Sequence, residues 1–170
     1  MTLMQILLPA NVAEMIASEL KKEGKRETGG LLFAEHIGGT TFKIVEATVQ
    51  KSSGTPVEFV RDPAQHQAQL EAFFARTGDD CTRFNYFGEW HSHPTFEPVP
   101  SGQDLRTMRA ILEDPDTGVL FLVLMICRLN SERGLTLSAT VCGDGGIYHP
   151  ASVFIQIQQS LVASRRFRAL

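Results

Sequence analysis

The sequence predicts a single α/β (α+β) domain over residues 1–170, with a mixed, mostly antiparallel sheet packed between helices. Three observations predict it. Segments with a hydrophobic period near 3.6 residues are interspersed with short apolar or strictly alternating runs. Clusters of Gly, Pro, Asn and Asp punctuate the boundaries between them. At 170 residues, 43% hydrophobic and 21% charged, the chain has the apolar material for one full core and too little length for a second.

Taken in order, residues 3–8 read as a short strand. Pro9-Ala10-Asn11 then opens a helix with Val12, Met15, Ile16 and Leu20 on one face, Lys21 and Lys22 near its end and Gly24 closing it. After Lys25-Arg26-Glu27, the run Thr28 to Ala34 reads as a buried strand whose Gly29 and Gly30 admit another backbone at close range. A turn at Gly38-Gly39 leads into Phe42 to Val49 and makes a hairpin. Ser52 to Pro56 is a loop, and Val57 to Val60 reads as an exposed edge strand.

Asp62 caps the next helix, Pro63 takes its first turn, Leu70, Phe73 and Phe74 share a face, and Gly78 stops it. Arg83 to Trp90 is a strand leading into a histidine pair. Leu105, Met108, Ile111 and Leu112 mark a third helix, ended by Asp114 to Gly118. Val119 to Cys127 reads as a central strand and Leu135 to Val141 as a half-buried one, before Gly143 to Gly146 turns into Ile147-Tyr148-His149. A last helix is expected over about 152–164.

Charge and cysteine usage narrow the function classes. A net charge of −3 and a pI near 5.9 argue against a nucleic-acid surface, since only Arg165-Arg166-Phe167-Arg168 forms a basic cluster. Cys81, Cys127 and Cys142 are widely spaced and odd in number, which suggests neither a disulfide framework nor a zinc cage and fits a reducing cytoplasm. The apolar start lacks a basic n-region, and the run Gly118 to Cys127 is too short to span a bilayer, so a soluble cytoplasmic protein is expected.

The chemistry concentrates in Gly88-Glu89-Trp90-His91-Ser92-His93-Pro94 and Ser101 to Asp104. Two histidines at i and i+2 point the same way from a strand and can reach one ion. Pro94, Pro98 and Pro100 stiffen the loop that must return Asp104 to them. Two imidazoles and a carboxylate form the donor set of a catalytic zinc with a fourth position open to water. Hydrolysis then needs a base to move the water's proton to a leaving amine, and Glu27, ahead of the glycine-bearing strand, is the candidate. A solvated glutamate at a helix–strand junction is its competing reading. Ser101 stands where a helix N-cap belongs. Trp90 reads as a packing wedge, Glu89 as solvent-facing or supporting the ligands, and His36, His66 and His149 as surface or satisfied histidines.

Glu27-Thr28-Gly29-Gly30-Leu31-Leu32, His91-Ser92-His93-Pro94, Ser101 and Asp104 together resemble the JAMM motif of the JAB/MPN metallopeptidases, an upstream Glu followed by His-x-His-x(7)-Ser-x-x-Asp. The resemblance covers most of the chain in element order and implies an MPN, cytidine-deaminase-like architecture over 1–170. It implies that His91, His93 and Asp104 bind one Zn2+, that Glu27 is the general base, and that Ser101 donates a hydrogen bond to the developing oxyanion. Such a donor stabilises the transition state more than the ground state.

Members of this family cleave isopeptide or peptide bonds after the C-terminal glycine of ubiquitin or ubiquitin-like proteins, or trim sulfur-carrier-like precursors. The compact size looks like the prokaryotic branch. Some of its members are encoded beside E1-like and E2-like enzymes in antiphage operons and remove a conjugated modifier or nucleotidyltransferase. The implied partners are a ubiquitin-like modifier or its conjugate and those operon-encoded enzymes, with neither nucleic acid nor membrane among them. About fourteen residues separate Asp104 from the strand near Val119, too few for the long second insertion by which some eukaryotic relatives recognise ubiquitin pairs. An extended substrate tail needs a backbone partner, and Val57 to Val60 is the expected one. Two other classes compete: a catalytically silent MPN scaffold, which would lack ligands that this chain has, and a DNA-associated relative, which would add a basic surface. A nucleobase deaminase is excluded by the missing Pro-Cys-x-x-Cys.

Overall fold

The computed structural model describes residues 3–51, 55, 56 and 58–157. The element order is β1 (Gln5–Pro9), α1 (Ala10–Glu23), β2 (Gly29–Gly38), β3 (Thr41–Ala47), α2 (Pro63–Thr77), β4 (Phe84–Ser92), α3 (Gly102–Glu113), β5 (Phe121–Leu129), β6 (Leu135–Gly143) and β7 (Ile147–Gln156). The strands join in the order β1-β3-β2-β4-β5-β6-β7, and β7 returns to β1, so the sheet closes on itself. Pairs β2/β3, β2/β4, β5/β6 and β6/β7 are antiparallel. Pairs β1/β3, β1/β7 and β4/β5 are parallel, a larger share than the sequence suggested. The β4/β5 pair is parallel because α3 makes the crossover between them.

Side-chain alternation places helices on both faces. On one face Leu32, Ala34, Trp90, Val123, Met125 and Cys127 pack with Val12, Ile16 and Leu20 of α1. On the other face Leu122, Leu124 and Ile126 meet Met108 of α3, and Leu31 and Phe33 meet Phe73 of α2. Both faces of β2 and β5 are therefore buried, which is why these strands read as unbroken apolar runs. Lys21 and Lys22 sit at the negative end of α1, and the Gly24 amide bonds the Leu20 carbonyl. Asp62 caps α2 by accepting the Ala64 and Gln65 amides at 3.1 Å each, and Gly78 ends the helix in the left-handed conformation. Trp90 is the wedge expected of it, fully buried with its indole N–H on the Thr48 carbonyl at 2.8 Å. Among the described residues no helix is long and apolar enough to cross a membrane.

Three expectations need correction. Residues 152–156, placed in a terminal helix, belong to β7 and pair in parallel with β1 from Gln5↔Ser152 to Pro9↔Gln156. Val153-Phe154-Ile155 favours a pleated surface, and the β1 edge supplies the ladder. The rest of that predicted helix, from residue 158, lies outside the described residues. Val57 lies outside them too, and Glu58 to Val60 do not form an edge strand: Glu58 makes an isolated bridge to Thr55, while Phe59 turns inward and is buried. The central strand begins at Phe121, leaving Leu120 exposed before it.

Gly88 shows how tightly β4 and β5 lie together. It has φ 141°, and a Cβ there would stand 2.0 Å from the Val123 carbonyl oxygen. Gly88→Ala should therefore destabilise the fold by roughly 3 kcal/mol, from strain and overpacking together. Urea unfolding followed by circular dichroism measures it, and a change below about 1 kcal/mol would contradict this packing.

Candidate metal centre

The β2/β4 ladder assembles the site. Its register sets Gly29 opposite His91 and Gly30 opposite Trp90. A Cβ on Gly29 would lie 2.3 Å from the Trp90 carbonyl oxygen, so only glycine permits this approach. Ser92, between the two histidines, closes the ladder: its amide donates to the Thr28 carbonyl at 2.8 Å, and its hydroxyl accepts the Thr28 amide at 3.1 Å. Glu27 is thereby carried to the histidines, and at 3% exposure it is buried. The competing picture of a solvated junction glutamate does not describe it.

His91 on β4 and His93, two residues on and just past the strand's end, set their Nε2 atoms 3.2 Å apart. Asp104 reaches both, Oδ1 lying 3.2 Å from His91 Nε2 and Oδ2 3.5 Å from His93 Nε2. Ligand atoms of Glu27, His91 and His93 all lie within 4.8 Å of one another. The position of Asp104 comes from the start of α3. Ser101 Oγ accepts the Asp104 amide at 3.2 Å, and Asp104 Oδ2 accepts the Ser101 amide at 2.7 Å, a capping box that fixes the carboxylate. His93 Nδ1 lies 3.2 Å from the Glu97 carbonyl oxygen, which turns Nε2 toward the site. Phe59 stacks against the His91 ring at 5.8 Å and 15°.

The electrostatics follow from burial and convergence. Burial pushes Glu27 up to about 7, with His93 opposing the shift and Asp104 adding to it. Burial likewise pulls His91 below its ordinary value, which favours the neutral ring. On His93 burial also pulls downward, but the hydrogen bond to Asp104, the Glu97 carbonyl and the charge on Glu27 outweigh it, so this ring takes up a proton above the usual histidine range. Burial raises Asp104 less than its bonds to His91, His93 and Ser101 lower it, and the carboxylate stays ionised.

This donor set fits zinc. Zinc bonds of about 2.0–2.2 Å arranged tetrahedrally hold neighbouring donors about 3.3 Å apart. The two Nε2 atoms and the Asp104 oxygens stand 3.2 to 3.5 Å from one another. The site opens into a cleft of about 510 Å³ lined by Glu58, Phe59 and Val60 from the segment after β3 and by Phe96, Val99 and Ser101 from the loop before α3.

The sequence alone gave no role to Phe59 or Arg61 in this arrangement, and left Glu89 either solvent-facing or supporting the ligands. Glu89 is buried, and Arg61 Nε bonds its Oε2 at 2.6 Å. Its period-two relation to His91 and His93 was the signal for its orientation, but nothing in the sequence marked Arg61 as its partner. His66, read as surface or satisfied, is instead buried, and its Nε2 has no hydrogen-bond partner among the described residues.

The family of prokaryotic homologs of the JAB domain matches residues 9–139. The chain belongs to this family. A relative from Enterobacter hormaechei subsp. hoffmannii, named CD-NTase/cGAS isopeptidase, is 33% identical over 143 residues, covering 82% of this chain and 76% of the relative. The solution structure of a protein from Desulfitobacterium hafniense superposes with a TM-score of 0.64 at 17% identity, over 89% of this chain and 92% of the other, a likeness of fold.

The JAB site should bind about one zinc per chain, and zinc at a hundred times its Kd should add about 2.7 kcal/mol of stability. His91→Ala and Asp104→Ala should both lose that gain in calorimetry. Metal binding needs neutral imidazoles, and His93 titrates above 6.5, so zinc affinity should begin to fall above pH 6.5 and continue falling as pH drops. Competition titrations against a chromophoric chelator give this profile, and a flat one would remove His93 from the ligand set.

Proposed function

We propose that this JAB protein is a zinc-dependent isopeptidase on an MPN, cytidine-deaminase-like scaffold. Its reaction is hydrolysis of the bond between the C-terminus of a conjugated protein and a target amine. The conjugated protein is a ubiquitin-like modifier or a similarly attached protein. The name of the Enterobacter relative makes a CD-NTase-like nucleotidyltransferase the first substrate to test. The setting is a cytoplasmic, bacterial conjugation or antiphage system with E1-like and E2-like partners. The observation that carries the reading is the convergence of His91, His93 and Asp104 beside a buried Glu27 at the floor of an open cleft.

In this reading His91, His93 and Asp104 hold the ion. Zinc, when bound, supplies Lewis-acid polarisation and brings the pKa of water to about 7. Glu27 takes the proton of the attacking water and returns it to the departing amine, a transfer for which a buried carboxyl beside the donor set is placed. Ser101 Oγ accepts the Asp104 amide and keeps its own O–H to donate to the carbonyl oxygen as charge builds there. Val60, Phe96 and Val99, each more than half exposed, offer apolar contacts to the substrate tail. A silent scaffold has no need of a buried, proton-accepting carboxyl beside three converging donors.

The test uses zinc-loaded protein and a CD-NTase joined through its C-terminal carboxyl to a lysine side chain. Glu27→Gln should retain zinc while kcat falls by about a hundredfold or more. Ser101→Ala should lower kcat by roughly ten- to a thousandfold and also lose about 1 kcal/mol of helix capping. Turnover by Glu27→Gln near the wild-type rate would take the base role away from Glu27.

A further inference from the structure

Thr55 and residues 58–61 lie beside Glu27 and His91, and their attachments follow a pattern. The Glu27 amide donates to the Thr55 carbonyl at 2.9 Å, and the Phe59 amide donates to the Glu27 carboxylate. The Phe59 ring stacks on His91, and the Arg61 guanidinium lies 5.8 Å from the Phe59 ring centroid. Arg61 then ends on Glu89, its Nε and Nη2 both 2.6 Å from Oε2. Gln50 fixes the main chain on either side, donating to the Val60 carbonyl and accepting the Asp62 amide at 2.7 Å each.

We infer that Arg61, paired with Glu89, is a positioning residue that sets Phe59 against both Glu27 and His91 and so fixes the base relative to the ligands. Gln50 ties the strap to the segment after β3, whereas Arg61 ties it to β4, the strand that carries His91 and ends just before His93. Glu89 and His91 occupy alternate positions and project from one face of it, and His93 follows at the same spacing just past its end. The pair is also enclosed, with the Arg61 side chain 20% and the Glu89 side chain 2% exposed, so its attraction is little screened by solvent. A buried carboxylate fixed to a planar guanidinium allows one orientation where an apolar contact allows several. The inference rests on the isopeptidase reading for its catalytic half only.

The experiment uses the full-length, zinc-loaded protein. Arg61→Lys keeps a positive charge for Glu89 and so avoids stranding a buried anion, but it lacks the guanidinium fork and its contact over the Phe59 ring. A second variant, Arg61→Met with Glu89→Gln, removes both charges together. Zinc content, melting temperature, hydrogen exchange at the Phe59 amide, and kcat and KM on the isopeptide-linked conjugate are measured on each.

Both variants should keep their zinc and exchange the Phe59 amide faster, with β2 and β4 amides unchanged. They should lose on the order of ten- to a hundredfold in kcat with KM changed much less, the mark of a misplaced base. Arg61→Lys should be the milder. Unchanged exchange at Phe59 in both variants overturns the proposal, as does a loss of activity that follows a loss of zinc. Wild-type protein that cleaves no conjugate removes the isopeptidase reading, while exchange at Phe59, which needs no substrate, still decides whether Arg61 holds the strap.

Discussion

The contact on which the structure depends is the pairing of β2 with β4 at Gly29 and His91. Two strands lie closer there than any side chain on residue 29 would allow, and the Ser92 bonds to Thr28 lock the register. One ladder therefore delivers the carboxyl of Glu27 and the imidazoles of His91 and His93 to a common point. A slip of one residue would turn the histidines to the opposite face, toward the α1 core where Trp90 now packs. Register, and through it the identity of residue 29, is a precondition for everything else at the site.

The remaining pieces arrive by a different kind of interaction. Asp104 is placed by local backbone hydrogen bonding at the start of α3, where Ser101 and Asp104 cap one another. The same carboxylate accepts a main-chain N–H and faces two imidazoles, so a change in helix docking is felt directly at the donor set. Burial does the rest: it holds Glu27 near neutrality, and it favours the neutral form of His91. A carboxylate-rich site with these opposing influences is costly to assemble, and proteins accept that cost where charges are to be used.

What could be read from the sequence divides along physical lines. Period-two and period-3.6 patterning reported the helices α1, α2 and α3, because each buries one stripe against a sheet that is apolar on both faces. The convergence of His91, His93 and Asp104 was legible because metal donors need fixed spacing, and Gly29 and Gly30 because close backbone approach needs glycine. Residues 152–156 were misread because the pairing that makes them a strand reaches back to Gln5, and no local pattern records so distant a partner. The segment at Glu58 to Val60 failed for the opposite reason. Its apolar residues suggested a strand, but Phe59 packs against the His91 ring and not into a ladder. Arg61 and Glu89 lie far apart in sequence, and two common charged residues advertise no pairing until the chain has folded.

The closure of the sheet through β1 and β7 bears on how the protein is made. Ile6 and Leu8 of β1 are wholly buried in the finished protein, and their neighbours along β7 are Val153 and Ile155. During synthesis β1 must wait for β7 to emerge before its second flank is covered. Such long-range parallel pairing forms late, and an apolar strand left open in the meantime invites association with other chains. Until β7 has been made and docked, β1 is therefore the strand most exposed to misassembly, and the barrel shuts only when that distant partner arrives.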